Sequence, residues 1–178
     1  MTFPDGAIRL RALRKDDLPT LYAWYQDPQT VRSLGANFRY RSEAEVVDNM
    51  GRWLVSSESE VRLAIEHGPA HQLVGMVSLQ EIDALNRSAS FHLVLGEAEA
   101  RGKGLGVLAT RAMLKHAFGD LGLQRVGLQV LDDNHAARAL YAKAGFVVEG
   151  ELREAVFKDG QRHGLVLMGI LAGEFRDA

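Results

Sequence analysis

The sequence predicts an α/β domain built on a mixed, mostly antiparallel sheet flanked by helices. Three observations predict it. Strand-like segments follow one another with short turns between residues 61 and 95, the pattern of an antiparallel meander. A strand, a glycine-rich loop, a helix and a further strand then run from residue 91 to residue 131, and such a unit pairs its two strands in parallel through a right-handed crossover. The chain has 178 residues, 47% hydrophobic and 25% charged, which suits one ordinary globular core. No linker, repeat or low-complexity segment divides it, so residues 1–178 read as a single domain.

Ile8-Arg9-Leu10-Arg11-Ala12-Leu13 alternates apolar and basic residues, as a half-buried strand does. Asp16 or Asp17 is placed to cap the next helix, with Pro19 in its first turn and Leu18, Leu21, Tyr22 and Tyr25 at helical spacing. Asp27-Pro28 ends that helix, because the residue before a proline is pushed out of the α region. Residues 29–41 read as an irregular connection with some helix. Ser42-Glu43-Ala44-Glu45 has the capping-box spacing and opens a helix through Val46, Val47, Met50 and Leu54, closed by the polar residues Ser56 to Glu60.

Val61 to Ile65, His71 to Ile82 and Ser88 to Leu95 are the meander strands, with turns at Gly68-Pro69 and Asn86-Arg87. Val107 to Leu114 reads as a helix that ends near Gly119 to Gly122, and Arg125 to Leu131 as the strand it leads to. Asp132-Asp133-Asn134 is a cluster of helix caps before Ala136, Ala137, Leu140, Tyr141 and Ala144, with Gly145 in the C′ position. Phe146 to Phe157 and His163 to Leu171 are the last strands, joined by the hairpin signal Lys158-Asp159-Gly160.

Composition excludes several function classes. A net charge of −2 gives no global attraction to nucleic acid or to an anionic membrane, so neither is an expected partner. The absence of cysteine excludes disulfides, a thiolate nucleophile and cysteine zinc sites. His67, His71, His116, His135 and His163 lack metal-ligand spacing such as H-E-x-x-H, so no metal is expected. The first residues have neither a basic nor an apolar signal region, and no apolar run approaches the ~18 residues that span a bilayer, so a cytoplasmic protein is expected.

The chemistry concentrates at Arg101-Gly102-Lys103-Gly104-Leu105-Gly106, between an apolar strand and a helix. Glycines let the backbone adopt positive φ and approach a ligand, and free N–H groups at a helix start attract phosphates. Arg101 and Lys103 add positive charge. A Walker A loop requires Ser or Thr after its Gly-Lys, and Gly104 stands there. A dinucleotide fingerprint requires G-x-G-x-x-G, and Val107 stands where the third glycine belongs. A glycine-rich turn with no ligand is the plain alternative, and the loop alone does not choose between them.

Its context does. Arg101-x-x-Gly104-x-Gly106 after an apolar strand resembles the Q/R-x-x-G-x-G/A acyl-CoA pyrophosphate loop of the GCN5-related N-acetyltransferase (GNAT) superfamily. Asn134-x-x-Ala137-x-x-Leu140-Tyr141-x-x-x-Gly145-Phe146 resembles the superfamily's second cofactor-contacting segment, and the order of elements is also similar. Arg9-Leu10-Arg11, Asp16-Asp17-Leu18, Asp27-Pro28, Glu151-Leu152-Arg153-Glu154 and Leu167-Met168-Gly169 look like the branch of the ribosomal-protein N-terminal and spermidine acetyltransferases. The resemblance spans residues 8–171.

The resemblance implies the GNAT fold, with its two central strands splayed apart. It implies acetyl transfer from acetyl-CoA to a primary amine, either a protein N-terminal α-amine or a small molecule, by direct transfer in a ternary complex. The pyrophosphate would lie on the N–H groups of Arg101, Gly102, Lys103, Gly104, Leu105 and Gly106, and the pantetheine along the backbone of Leu93, Val94 and Leu95. Asn134 and Ala137 would flank the cofactor arm, and Tyr141 aligns with the general acid beside the sulfur. A phenol of pKa ~10 is protonated at neutral pH and suits that task. A homodimer is the assembly the relatives suggest. A non-catalytic acyl-CoA sensor is the alternative, and retention of Tyr141 counts against it.

The general base is left open among His92, Glu97, Glu81, Asp83 and Glu66, with a chain of waters as a further way to remove the proton. The acceptor pocket is expected from residues 24–41, the turn near Glu81 to Arg87 and the final hairpin. Trp24, Tyr25, Asp27, Phe38 and Tyr40 would suit a cationic amine there, whereas Arg32, Arg39 and Arg41 oppose a strongly polycationic one. Arg162-His163-Gly164-Leu165 departs from the polar pair that the relatives place after this hairpin turn, so acceptor preference is open to change.

Overall fold

The computed structural model describes residues 7–35, 42–55 and 57–176, and in it the strands form one seven-stranded sheet. The strands are β1 (Ile8–Ala12), β2 (Val61–His67), β3 (Gln72–Asp83), β4 (Ser88–Leu95), β5 (Arg125–Leu131), β6 (Val147–Lys158) and β7 (Gln161–Leu171). Their spatial order is β1-β2-β3-β4-β5-β7-β6. Every neighbouring pair is antiparallel except β4 and β5, which are parallel through the crossover expected of them.

The helices are α1 (Leu18–Gln26), α2 (Pro28–Ser33), α3 (Glu43–Gly51), α4 (Leu105–Lys115) and α5 (His135–Ala144). Local chemistry accounts for most of their ends. Asp27 closes α1 in extended backbone and opens α2, its carboxylate accepting from Thr30 N–H at 2.8 Å. Ser42 Oγ accepts from Glu45 N–H at 3.2 Å. Gly145, at φ +106°, ends α5 in the left-handed conformation that a Cβ disfavours. Asp159 and Gly160 both have positive φ, the geometry of a two-residue hairpin turn.

Some boundaries differ from expectation. Asp17 does not cap α1 with its side chain; its carboxylate accepts from Arg14 N–H at 2.7 Å and from Arg11 at 2.7 and 2.8 Å, closing a 3₁₀ turn ahead of the helix. The third helix leaves α geometry at Gly51 and finishes as a 3₁₀ turn over Arg52–Leu54. Ser56 lies outside the described residues.

Side chains alternate across the sheet and divide the core into layers. One face packs Val77, Leu79, Phe91 and Val126 against Ala109, Met113, Leu114 and Tyr141 of α4 and α5. On the other face, Met76 packs with Leu18, Leu21 and Trp24 of α1 and Met50 of α3.

Candidate active site

The site forms where β4 and β5 part. Their register holds for Ser88↔Arg125, Ala89↔Val126 and Ser90↔Gly127 and goes no further, although both strands continue. This is the splay that the family resemblance implies. Gly96 N–H donates to Val74 O on the β3 side. Backbone direction alternates along a strand, so Leu93 and Leu95 turn their N–H and C=O groups toward the gap. Val94 turns its backbone to β3, opposite Met76. Of the three expected strand residues, Leu93 therefore presents both its backbone groups to the open edge and Leu95 its N–H, since Leu95 O already accepts from Arg101 Nε at 3.1 Å.

The glycine loop closes the wide end of the gap. Among the described residues, nothing accepts from the backbone N–H groups of Gly102, Lys103, Gly104, Leu105 or Gly106. Gly102 and Gly104 have φ of +74° and +80°, and a Cβ at either would meet open space, so backbone conformation demands these glycines. Gly106 is different. It is buried in the first turn of α4, and a Cβ there would fall 2.5 Å from Leu140 Cδ1 and 3.4 Å from Leu93 and Leu95. Its small size lets the start of α4, the face of α5 and β4 converge.

The two cations of the loop have separate roles. Lys103 is exposed and takes part in no hydrogen bond or ion pair among the described residues. Arg101 turns away from the free N–H groups. Its Nε donates to Leu95 O at 3.1 Å, and its Nη2 donates to Gly96 O at 3.2 Å and to Thr30 Oγ1 at 2.9 Å. Its own backbone N–H donates to Ala98 O. The expected pair of charges facing a pyrophosphate is thus one free charge and one strut tying β4 to α2.

Tyr141 is buried on α5, with its ring edge-on to Phe91 at 6.0 Å and to Phe146 at 5.9 Å. Phe91 is the first β4 residue beyond the last β4–β5 pair, so Tyr141 stands at the apex of the gap. Burial pushes its phenol up to about 12. No group among the described residues hydrogen-bonds its hydroxyl. Asn134 Oδ1 accepts from Ala137 N–H at 3.1 Å, the expected cap, while Nδ2 donates to Ser33 O at 3.1 Å. Both ends of this amide are thereby occupied.

The candidate bases separate clearly. Glu66 is buried beside Arg11 in β1. Asp83 holds the turn by accepting from Asn86 N–H and Nδ2. Glu97 accepts from Trp24 Nε1 at 2.9 Å. Glu81 sits at a bulge, at φ +52°, and accepts from Ser90 Oγ at 2.6 Å. His92 is exposed and has none of these partners.

Among the described residues, the expected aromatic acceptor residues are engaged elsewhere. Trp24 is a core residue at 5% exposure, and Tyr25 packs against Trp53 at 5.9 Å. Asp27 is engaged as the α2 cap. Phe38, Arg39, Tyr40 and Arg41 lie outside the described residues. An open groove of about 580 Å³ runs beside Trp24, Asp27, Gly96, Glu97 and Arg101.

Long-range contacts added what spacing could not show. Lys158 is buried, and its Nζ donates to Val31 O and Leu34 O at 2.6 Å each, fastening the final hairpin to the end of α2. Pairing of β5 with β7 brings His163 Nδ1 to 3.4 Å from Asp133 and 4.0 Å from Asp132, whose other oxygen accepts from Gly164 N–H at 2.8 Å. The Lys-Asp-Gly turn signal showed the hairpin but not these partners.

Comparisons with known proteins agree with this geometry. The family model described as acetyltransferase (GNAT) domain matches residues 7–147. The chain is 27% identical to the spermidine N(1)-acetyltransferase of Escherichia coli K12 over 179 aligned residues, 95% of this chain and 88% of that protein. It is 34% identical to the putative ribosomal N-acetyltransferase YdaF of Bacillus subtilis, covering 58% of this chain and 56% of that one. The crystal structure of spermidine N-acetyltransferase from Vibrio cholerae in complex with CoA and spermine superposes with a TM-score of 0.86 at 28% identity, over 95% of this chain and 98% of that one. The chain belongs to the GNAT family of acetyl-CoA-dependent N-acetyltransferases.

Proposed function

We propose that the protein transfers the acetyl group of acetyl-CoA directly to a primary amine, a protein N-terminal α-amine or a small-molecule amine, within one domain spanning residues 1–178. The observation that carries this reading is the row of free N–H groups from Gly102 to Gly106 at the mouth of an open strand edge. A helix start carries roughly half a positive charge, and unpaired N–H groups there fit a pyrophosphate. Lys103 adds an exposed cation. The Leu93 and Leu95 backbone fits the amides of a pantetheine arm, and Ala137 offers that arm a small, half-buried neighbour. Arg101 and Asn134 contribute by holding β4 and α5 to α2 beside the arm.

Tyr141 is the proton donor. Burial keeps its hydroxyl protonated across neutral pH, and its place at the gap apex suits a proton delivered to a departing thiolate. Oriented backbone dipoles and the positioning of both substrates supply the rest of the rate. The acceptor class is supported by the named activities of the E. coli and V. cholerae relatives.

A homodimer in the cytoplasm belongs to the same reading. It is supported by exposed Val147, Val148 and Leu152 on the edge strand β6, and by a chain without cysteine. A V. cholerae relative forms a dodecamer, and among the described residues no helix is long and apolar enough to cross a membrane. Sedimentation velocity returning only monomer would remove the dimer.

The test of the activity is an amine and N-terminal-peptide panel scored by free CoA release, beside thermal shifts with acetyl-CoA, ATP and NAD. Acetyl-CoA alone should raise the melting temperature, and at least one amine should release CoA. Stabilisation by ATP or NAD without acetyl-CoA, or no release with any amine, overturns the reading.

A further inference from the structure

We infer that His92 is the residue that accepts the proton from the attacking amine. The inference rests on the acetyl-transfer reading above. It begins with elimination among the carboxylates near β3 and β4, where Glu66, Asp83, Glu97 and Glu81 each hold a structural partner. Among the described residues, His92 alone of these groups makes no hydrogen bond or ion pair.

Position gives the second argument. The β4–β5 pairing ends at Ser90↔Gly127, Phe91 follows, and His92 is next along the open edge strand. Phe91 points to the α4–α5 face, where its ring meets Tyr141. Consecutive strand side chains take opposite faces, so His92 points to the α1–α3 face. Its register partner Ser78 is buried on that face, two residues from Met76. Tyr141 and His92 therefore flank the apex of the gap from opposite sides of the sheet. A thioester lying in the gap would meet the proton donor on one side and the amine with its proton acceptor on the other.

The charged groups around His92 come from two neighbouring strands. Arg62 of β2, itself paired with Glu60 at 2.7 Å, lies in the same cross-strand row through Ser78. Glu81 of β3 acts on the ring in the opposite sense, favouring its charged form. The side chain reaches solvent, yet desolvation, and then Arg62, lower its pKa below the ordinary histidine value. The imidazole is thus neutral, and able to accept a proton, at neutral pH.

The step balances without a further reactant. The amine nitrogen bonds to the carbonyl carbon as the carbon–sulfur bond breaks. The proton from nitrogen passes to an imidazole nitrogen of His92, and the sulfur takes the Tyr141 proton. Solvent then removes the one and replaces the other.

The test compares wild type, His92→Gln and Glu81→Gln over a pH series with an amine taken from the panel. His92→Gln should lower kcat/KM at neutral pH by about 100-fold or more, abolish its acidic limb, and leave the acetyl-CoA Kd and the melting temperature in place. The deficit should narrow as pH rises and solvent supplies free amine. Glu81→Gln should keep most activity and move the acidic limb to lower pH. A wild-type pH profile and rate in His92→Gln, or a greater loss in Glu81→Gln, overturns the assignment while leaving acetyl transfer intact. A wild type that acetylates no amine overturns both.

Discussion

Trp24 lies against the backbone of Gly96 so closely that a Cβ on Gly96 would fall 1.9 Å from Cδ2 and 2.0 Å from Cε2 of the indole. The same indole donates to Glu97 at 2.9 Å. One side chain of α1 thus pins the turn between the open edge of β4 and the phosphate-type loop. Gly96→Ala should destabilise the fold by about 1–3 kcal/mol, because a rigid ring rather than a flexible chain end occupies the space. Most of that cost should vanish in a Trp24→Leu background. Urea unfolding of the double-mutant cycle measures the coupling, and additive effects would contradict the contact.

Tyr141→Phe removes the hydroxyl and leaves the ring contacts with Phe91 and Phe146 in place. We expect kcat to fall by about 100-fold or more, with the acetyl-CoA Kd unchanged. Steady-state kinetics beside calorimetric binding separates the two, and an unaltered kcat across the pH range excludes the proton-donor role.

The same substitution should alter alkaline stability. The native phenol titrates at about 12, above its ordinary value of 10.0, so the folded state holds this proton more tightly than the unfolded chain. The stability this contributes is complete below pH 10 and is lost as pH rises toward 12. Between pH 9 and pH 11 the wild type should lose about 1 kcal/mol more than Tyr141→Phe. Denaturant midpoints at the two pH values check the sign, and parallel losses would place the phenol in water.

Arg101 and Lys103 stand two residues apart in the loop yet should fail differently. Arg101→Ala cuts the bonds to Leu95 O, Gly96 O and Thr30 Oγ1 and should cost about 1–3 kcal/mol of stability. Lys103→Ala should leave stability unchanged and weaken acetyl-CoA binding about fivefold at low salt, an effect that shrinks as salt rises. Thermal melts and binding isotherms at two ionic strengths distinguish the strut from the free charge.

Much of the fold was legible because its signals are local. The Asp27-Pro28 break, the Ser42 and Asn134 caps, the positive-φ Gly104 and Gly145, and the Asp159-Gly160 turn each act within a few residues of where they stand. Asp17 failed as a side-chain helix cap because Arg11 of β1 and the Arg14 N–H, both within six residues, claimed its carboxylate. Arg101 entered the loop as a second positive charge, and only the structure shows that its guanidinium meets the carbonyls of Leu95 and Gly96 and the hydroxyl of Thr30. Lys158 read only as part of a hairpin signal, and the structure buries it against the end of α2.

The sequence by itself determined the family, the order of elements, the phosphate-type loop and the place of Tyr141, because glycine spacing, caps and periodicity are properties of short segments. The tertiary structure decided which strand edge opens, which glycine serves packing and which cation is free. Among the described residues, it also decided which candidate base makes no hydrogen bond or ion pair. These depend on register between distant strands and on competition for hydrogen-bond partners, and neither quantity is carried by any one stretch of the chain.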